Sequence, residues 1–125
     1  MKRNSVVKRI KKILPKTLLR KLPKEITVKE ITPKQALRLN LAYRKKRKPA
    51  NVLSFRYGPH YGEILVCPEV IRHDAKMQGN SYKHQMTWMI LHGMLHLGGL
   101  HHEKSHGAEL KSGKIEREVL TRAIF

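Results

Sequence analysis

The chain has 125 residues, 40% of them hydrophobic, enough for one domain with a core that needs no disulfide staples, and too apolar for a disordered segment. Its 27 Lys and Arg against 9 Asp and Glu leave a formal charge of +18, which points to a polyanionic partner, nucleic acid first. Cys67 is the only cysteine, so no intramolecular disulfide can form, and no apolar run approaches the roughly 20 residues of a membrane span.

A reducing compartment, and so the cytoplasm, is the expected setting. Residues 1–24, MKRNSVVKRIKKILPKTLLRKLPK, hold ten Lys and Arg and no acid. They lack the apolar h-region of a secretory signal, although a basic, acid-poor amphipathic start also has traits of an organellar transit peptide. Val6, Val7, Ile10, Ile13 and Leu14 fall near helical spacing, and Leu18, Leu19 and Leu22 follow Pro15. This predicts a cationic amphipathic helix, kinked or interrupted at Pro15, packed on a domain of residues 25–125 with its basic face solvated. The stripe is short and lacks aromatics, which argues against membrane-surface binding.

The period then changes. EITVKEI (25–31) is rich in β-branched residues and predicts a strand. Thr32-Pro33 is an N-cap followed by proline at the first helical position, and the helix runs to about Tyr43. Arg44, Lys45, Lys46, Arg47 and Lys48 form a basic loop before Pro49. NVLSFRY (51–57) and GEILVC (62–67) read as a hairpin, with Cys67 a small buried hydrophobe. Pro68 opens a helix that Gly79-Asn80 ends, residues 82–98 form a central helix apolar on much of its circumference, and a last helix spans about 107–123.

LHGMLHLGGLHH (91–102) carries the chemistry. His92 and His96 are four apart and project from one helix face, as two imidazoles must to share a metal at about 2.0–2.1 Å. Gly98-Gly99 permits a sharp turn that can return His101 or His102 as a third ligand. Three ligands and one open position describe a catalytic zinc site; the donors alone also admit Ni²⁺, Co²⁺ or Cu²⁺. Core histidines without metal would each need a hydrogen-bond partner, and the neighbouring Leu, Met and Gly offer few. The zincin proteases place a glutamate beside the first ligand, where this chain has Gly93, which counts against a peptidase.

HGMLHLGGLHH resembles the His-Gly-x-Leu-His-Leu-x-Gly-Tyr-Asp-His signature of the YbeY family of bacterial rRNA-maturation endoribonucleases. LNLAYRKKRKPANVLSF (39–55) is similar to that family's Leu-Asn-x-x-Tyr-Arg…Pro-Thr-Asp/Asn-Val-Leu-Ser-Phe block, and GEILVC to its Gly-Asp-Ile-x-Ile-x strand. The resemblance covers about residues 25–122. It implies one Zn²⁺ held by His92, His96 and His102, with His92 and Arg44 catalytic and Ser54 a neighbour of the site. The implied activity is cleavage of single-stranded RNA in 16S rRNA 3′-end maturation and ribosome quality control, with a metal-activated water or metal-polarised phosphate and charge neutralised by Arg44. Arg44, Lys45, Lys46, Arg47 and Lys48 are then expected to hold RNA phosphates. The partners the resemblance implies are single-stranded RNA or rRNA and the ribosome or its small subunit, and no membrane is expected.

The departures have consequences. The family's Tyr-Asp is Leu100-His101 here, its threonine before Asn51 is Ala50, and its Gly-Asp is Gly62-Glu63. His101 is expected beside the metal or on the surface, since two adjacent residues rarely aim at one ion. The family's first strand has no counterpart, so the expected fold is α+β, with a mixed sheet of about three strands on about five helices and an exposed edge. Two other functions fit the residues: an rRNA-binding factor with a structural metal, and a metal-dependent hydrolase of a non-RNA substrate.

Overall fold

Pro15 lacks an amide hydrogen, and the N-terminal helical pattern breaks there into α1 (Arg3–Ile13) and α2 (Lys16–Leu19), Pro15 itself standing at the N-cap of the second. The computed structural model describes residues 3–99 and 106–124, the side chains of 106–112 and 124 excepted. The further elements are β1 (Glu25–Glu30), α3 (Pro33–Arg44), β2 (Val52–Arg56), β3 (Tyr61–Val66), α4 (Pro68–Gln78), α5 (Tyr82–Leu97) and α6 (His106–Ile124). The fold is α+β as expected. Among the described residues six helices stand where about five were expected, because Pro15 divides the first rather than only bending it.

The sheet order is β1-β3-β2, with β1 parallel to β3 and β2 antiparallel to it. β2 and β3 are the expected hairpin, closed by Tyr57 N–H donating to Tyr61 O at 3.0 Å. β1 is an edge, and part of it is covered: its Val28 N–H donates to the Asn4 side chain of α1 at 3.0 Å.

Side chains alternate across the sheet, and the alternation sorts β2 into two faces. Val52, Ile64 and Val66 join the main core with Ile26, Val28 and the buried residues of α5. Leu53 and Leu65 join a smaller cluster on the opposite face, with Ala50 and, at its margin, Leu39 of α3. α5 passes close over the sheet. A Cβ on Gly93 would lie 3.1 Å from Ile64 Cγ2, so this position faces the strands and helix and sheet meet where only hydrogen fits without displacement.

The N-terminal stripe is part of the same core: Val6, Val7, Ile10, Leu14, Leu18 and Leu22 are buried, while Lys8, Arg9 and Lys12 are not. Leu19, counted in the stripe from spacing, is instead 36% exposed. Cys67 is buried, as expected of a small hydrophobe. Because Ile10 is fully buried in the main cluster, Ile10→Ala is expected to lower the unfolding free energy by about 2–5 kcal/mol in a urea titration. An unchanged midpoint would mean that α1 is a dispensable arm.

Candidate metal centre and nucleic-acid cleft

Trp88, His92 and His96 are spaced by four along α5 and therefore share one face. The rings of His92 and His96 lie 4.4 Å apart between centroids and are tilted by 49°. His92 Nδ1 is 2.9 Å from Glu116 Oε1, and Trp88 Nε1–H donates to Glu116 Oε2 at 3.0 Å. With Glu116 ionised the carboxylate only accepts, so the proton of this contact is on Nδ1, and Nε2 is the nitrogen of His92 that would face a metal. A carboxylate behind an imidazole is the usual support of a metal-binding histidine. The donor set therefore fits a metal held through Nε2 of His92 together with His96.

Glu116 lies on α6, a helix from which the sequence singled out no site residue. A signal was present. Ile115, Glu116, Val119, Leu120 and Ala123 form the helix's inward stripe, with Glu116, Val119 and Ala123 buried, and an acid inside such a stripe needs donors. Among the described residues no three His, Cys, Asp or Glu side chains gather as a metal cage. His101 and His102 lie outside the described residues.

Arg44 is the last residue of α3, which a capping box at Thr32 begins and Lys45, left-handed at φ 57°, ends. Three adjoining clefts share Arg44. One of about 190 Å³ is lined by Trp88, His92 and Glu116, and one of about 540 Å³ by Ser54, Arg56, His96 and Lys21. The third, of about 510 Å³, holds Lys46 and Lys48. Arg44, Ser54, His92 and His96, read from the sequence as site residues, thus converge. Ser54 reaches the site by strand alternation, since it shares the sheet face of Val52. Lys45 and Arg47 are exposed and line none of the three clefts.

Arg56 also escaped the sequence reading. Its Nη1 donates to Lys21 O at 2.5 Å and to Leu97 O at 2.6 Å, and its Nε to Gly58 O at 3.1 Å. This guanidinium ties the C-terminal end of α5, one residue past His96, to the hairpin and to the segment after α2. The turn continues through Gly99, whose φ of 87° favours glycine.

The fold and this cleft define an α+β domain with a carboxylate-supported histidine pair inside a strongly basic groove, a construction suited to an anionic substrate. The model of the family Endoribonuclease YbeY matches residues 1–123, and the chain belongs to that family. It is 36% identical over 106 residues to the Endoribonuclease YbeY of Bdellovibrio bacteriovorus, covering 81% of this chain and 71% of that protein. With the Chelativorans relative of the same name it shares 38% over 91 residues, 66% of this chain and 55% of the relative. With that of Pseudoalteromonas translucida it shares 36% over 104 residues, 77% and 67% respectively. The solution structure of TM1509 from Thermotoga maritima has the same fold, with a TM-score of 0.59 and 23% identity, over 95% of this chain and 84% of that one.

Trp88 is the only tryptophan, so its emission reports on the Glu116 cluster directly. Glu116→Ala leaves the Trp88 N–H and His92 Nδ1 without their acceptor, which is expected to cost about 1–3 kcal/mol of stability and to shift the Trp88 emission maximum. Urea unfolding followed by fluorescence measures both; neither changing would mean that these contacts do not form in solution.

Proposed function

We propose that this chain is a zinc-dependent endoribonuclease that prefers single-stranded RNA and acts in the cytoplasm on rRNA, in 16S 3′-end maturation and ribosome quality control. Membership of the YbeY family supports the RNA-cleaving role. The observation that carries the reading is the convergence of Arg44 and Ser54 on a histidine pair, of which His92 is backed by the buried Glu116 carboxylate. One Zn²⁺ would be held by His92, His96 and His102, and when bound it supplies Lewis acidity toward a phosphoryl oxygen.

The remaining work belongs to the chain. Arg44 clamps the scissile phosphate with two parallel N–H donors and offsets charge that builds in the transition state. Glu116 keeps the proton on Nδ1 of His92, so the ring holds one orientation. Ser54 offers a hydroxyl to a phosphate or ribose oxygen in the same cleft. Lys21 and Arg56 on one side, and Lys46 and Lys48 on the other, steer the backbone past Arg44. Lys45 and Arg47 add long-range attraction without lining a cleft.

Two alternatives differ in what they require. A metal-dependent hydrolase of a non-RNA substrate would, as a peptidase, need its general base from elsewhere than Gly93, which has no side chain and is packed on Ile64 of the sheet. A non-catalytic ribosome-associated factor would keep the RNA binding and have no turnover.

Cleavage of end-labelled single-stranded RNA is expected from the wild type, sensitive to chelation, and absent in His96→Ala. Arg44→Ala should lower kcat/KM by about 10²–10³ while zinc content, measured by mass spectrometry, stays at one per chain. Equal cutting by wild type and His96→Ala would place the activity elsewhere. RNA bound but never cut would favour the ribosome-associated factor. Affinity should fall with salt at a log–log slope of about −0.7 per phosphate neutralised, and a flat salt profile would remove the basic groove from RNA binding.

A further inference from the structure

The cleft beyond Arg44 is built unlike the rest of the basic surface. One lip is cationic, with Arg44, Lys46 and Lys48; the other is α4, with Glu69, His73 and Asp74. The chain has 9 acids against 27 cations, and Asp74 is its only aspartate. Opposite charges facing one another usually pair. Yet among the described residues no ion pair crosses this cleft.

Its lining also holds an acceptor with nothing to accept. Asn40 is 2% exposed, its Nδ2 donates to Lys48 O at 2.8 Å, and its buried Oδ1 has no hydrogen-bond partner. Asn51 braces the acidic lip: its Oδ1 accepts from Val52 N–H at 2.7 Å, and its Nδ2 donates to Asp74 Oδ2 at 3.4 Å. The carboxylates of α4 thus lie along one wall and the cations at and after the end of α3 along the other, around about 510 Å³, a volume within the roughly 300–1,000 Å³ of small-ligand clefts.

We propose that this cleft is a nucleotide subsite selective for guanosine, adjoining the phosphate bound at Arg44. Lys46 and Lys48 hold the nucleotide's phosphate, and the Asp74 carboxylate accepts from N1–H and the 2-amino group of guanine. The inference rests on the RNA-cleaving reading of the neighbouring histidine site. Guanine is selected because its Watson–Crick edge offers two adjacent donors to a carboxylate. Adenine and cytosine set an acceptor nitrogen beside their amino group, and uracil flanks its single N–H with carbonyls, so each turns an acceptor toward a negative oxygen.

Anisotropy titrations of the full chain with fluorescein-labelled RNA nonamers, uridine throughout except for one central G, A, C or U, test the subsite at fixed salt. The guanosine strand is expected to bind about tenfold more tightly than the all-uridine strand. Asp74→Asn, which keeps one acceptor oxygen and turns an amide N–H toward the second donor, should abolish that preference. Equal affinity for all four strands, or a preference that survives Asp74→Asn, overturns the proposal. The wild-type preference is read without any variant, so a misfolded Asp74→Asn leaves the test intact. Binding is measured instead of cleavage, so guanosine preference without cutting would overturn the nuclease reading and leave the subsite standing.

Discussion

The carboxylate of Glu116 is withdrawn from water on α6 and receives donors from two residues of α5, Trp88 and His92. A charge in that position is costly unless such donors reach it. Trp88 and His92 are one helical turn apart, so both bonds form together only at one height and rotation of α6 against α5. That constraint orients His92, and with it the face on which His96 follows a turn later. The interhelix contact and the candidate metal site are therefore one arrangement, and a change that loosens one disturbs the other.

The opposite wall of the groove depends on the sheet. Alternation sends Ser54 and Arg56 to the face that α5 covers, while Leu53 and Phe55 pack toward α3. Arg56 then spends its donors on backbone carbonyls at the end of α5, at Lys21 and at Gly58, fixing where the helix stops. The basic loop after α3 is held as well: Asn40 donates to Lys48 O and accepts from Lys46 N–H through its backbone. In a chain of +18, these uncharged bonds fix where particular cations stand, which the net charge alone does not.

Family membership gains meaning beside the departures. The chain spans 71%, 55% and 67% of three relatives bearing the YbeY name, and among its described residues the sheet has three strands. The hydrophobic residues of α1 and α2 complete the core beside those strands, and Asn4 meets an edge amide that a sheet of this size leaves open.

Element order, the helix and strand boundaries within a residue or two from Glu25 onward, and the placing of His92 and His96 on one face were legible in the chain itself; the N-terminal helical segment, expected to residue 24, ends at Leu19. They follow from local rules: the 3.6-residue and two-residue periods, the Thr32-Pro33 start and the glycine stops act over a few neighbouring residues. The resemblance of short motifs added Arg44 and Ser54. What only the tertiary structure decided involves residues far apart in sequence. Glu116 meets His92 24 positions away, and Arg56 meets Leu97 41 positions away. Helical spacing puts Glu116 and His92 each on an inward face, but which residues then meet depends on where two elements cross. The separation of Lys46 and Lys48, which line a cleft, from Lys45 and Arg47, which do not, arises the same way. Composition counts those charges alike, and only the backbone path past Asn40 assigns them to different places.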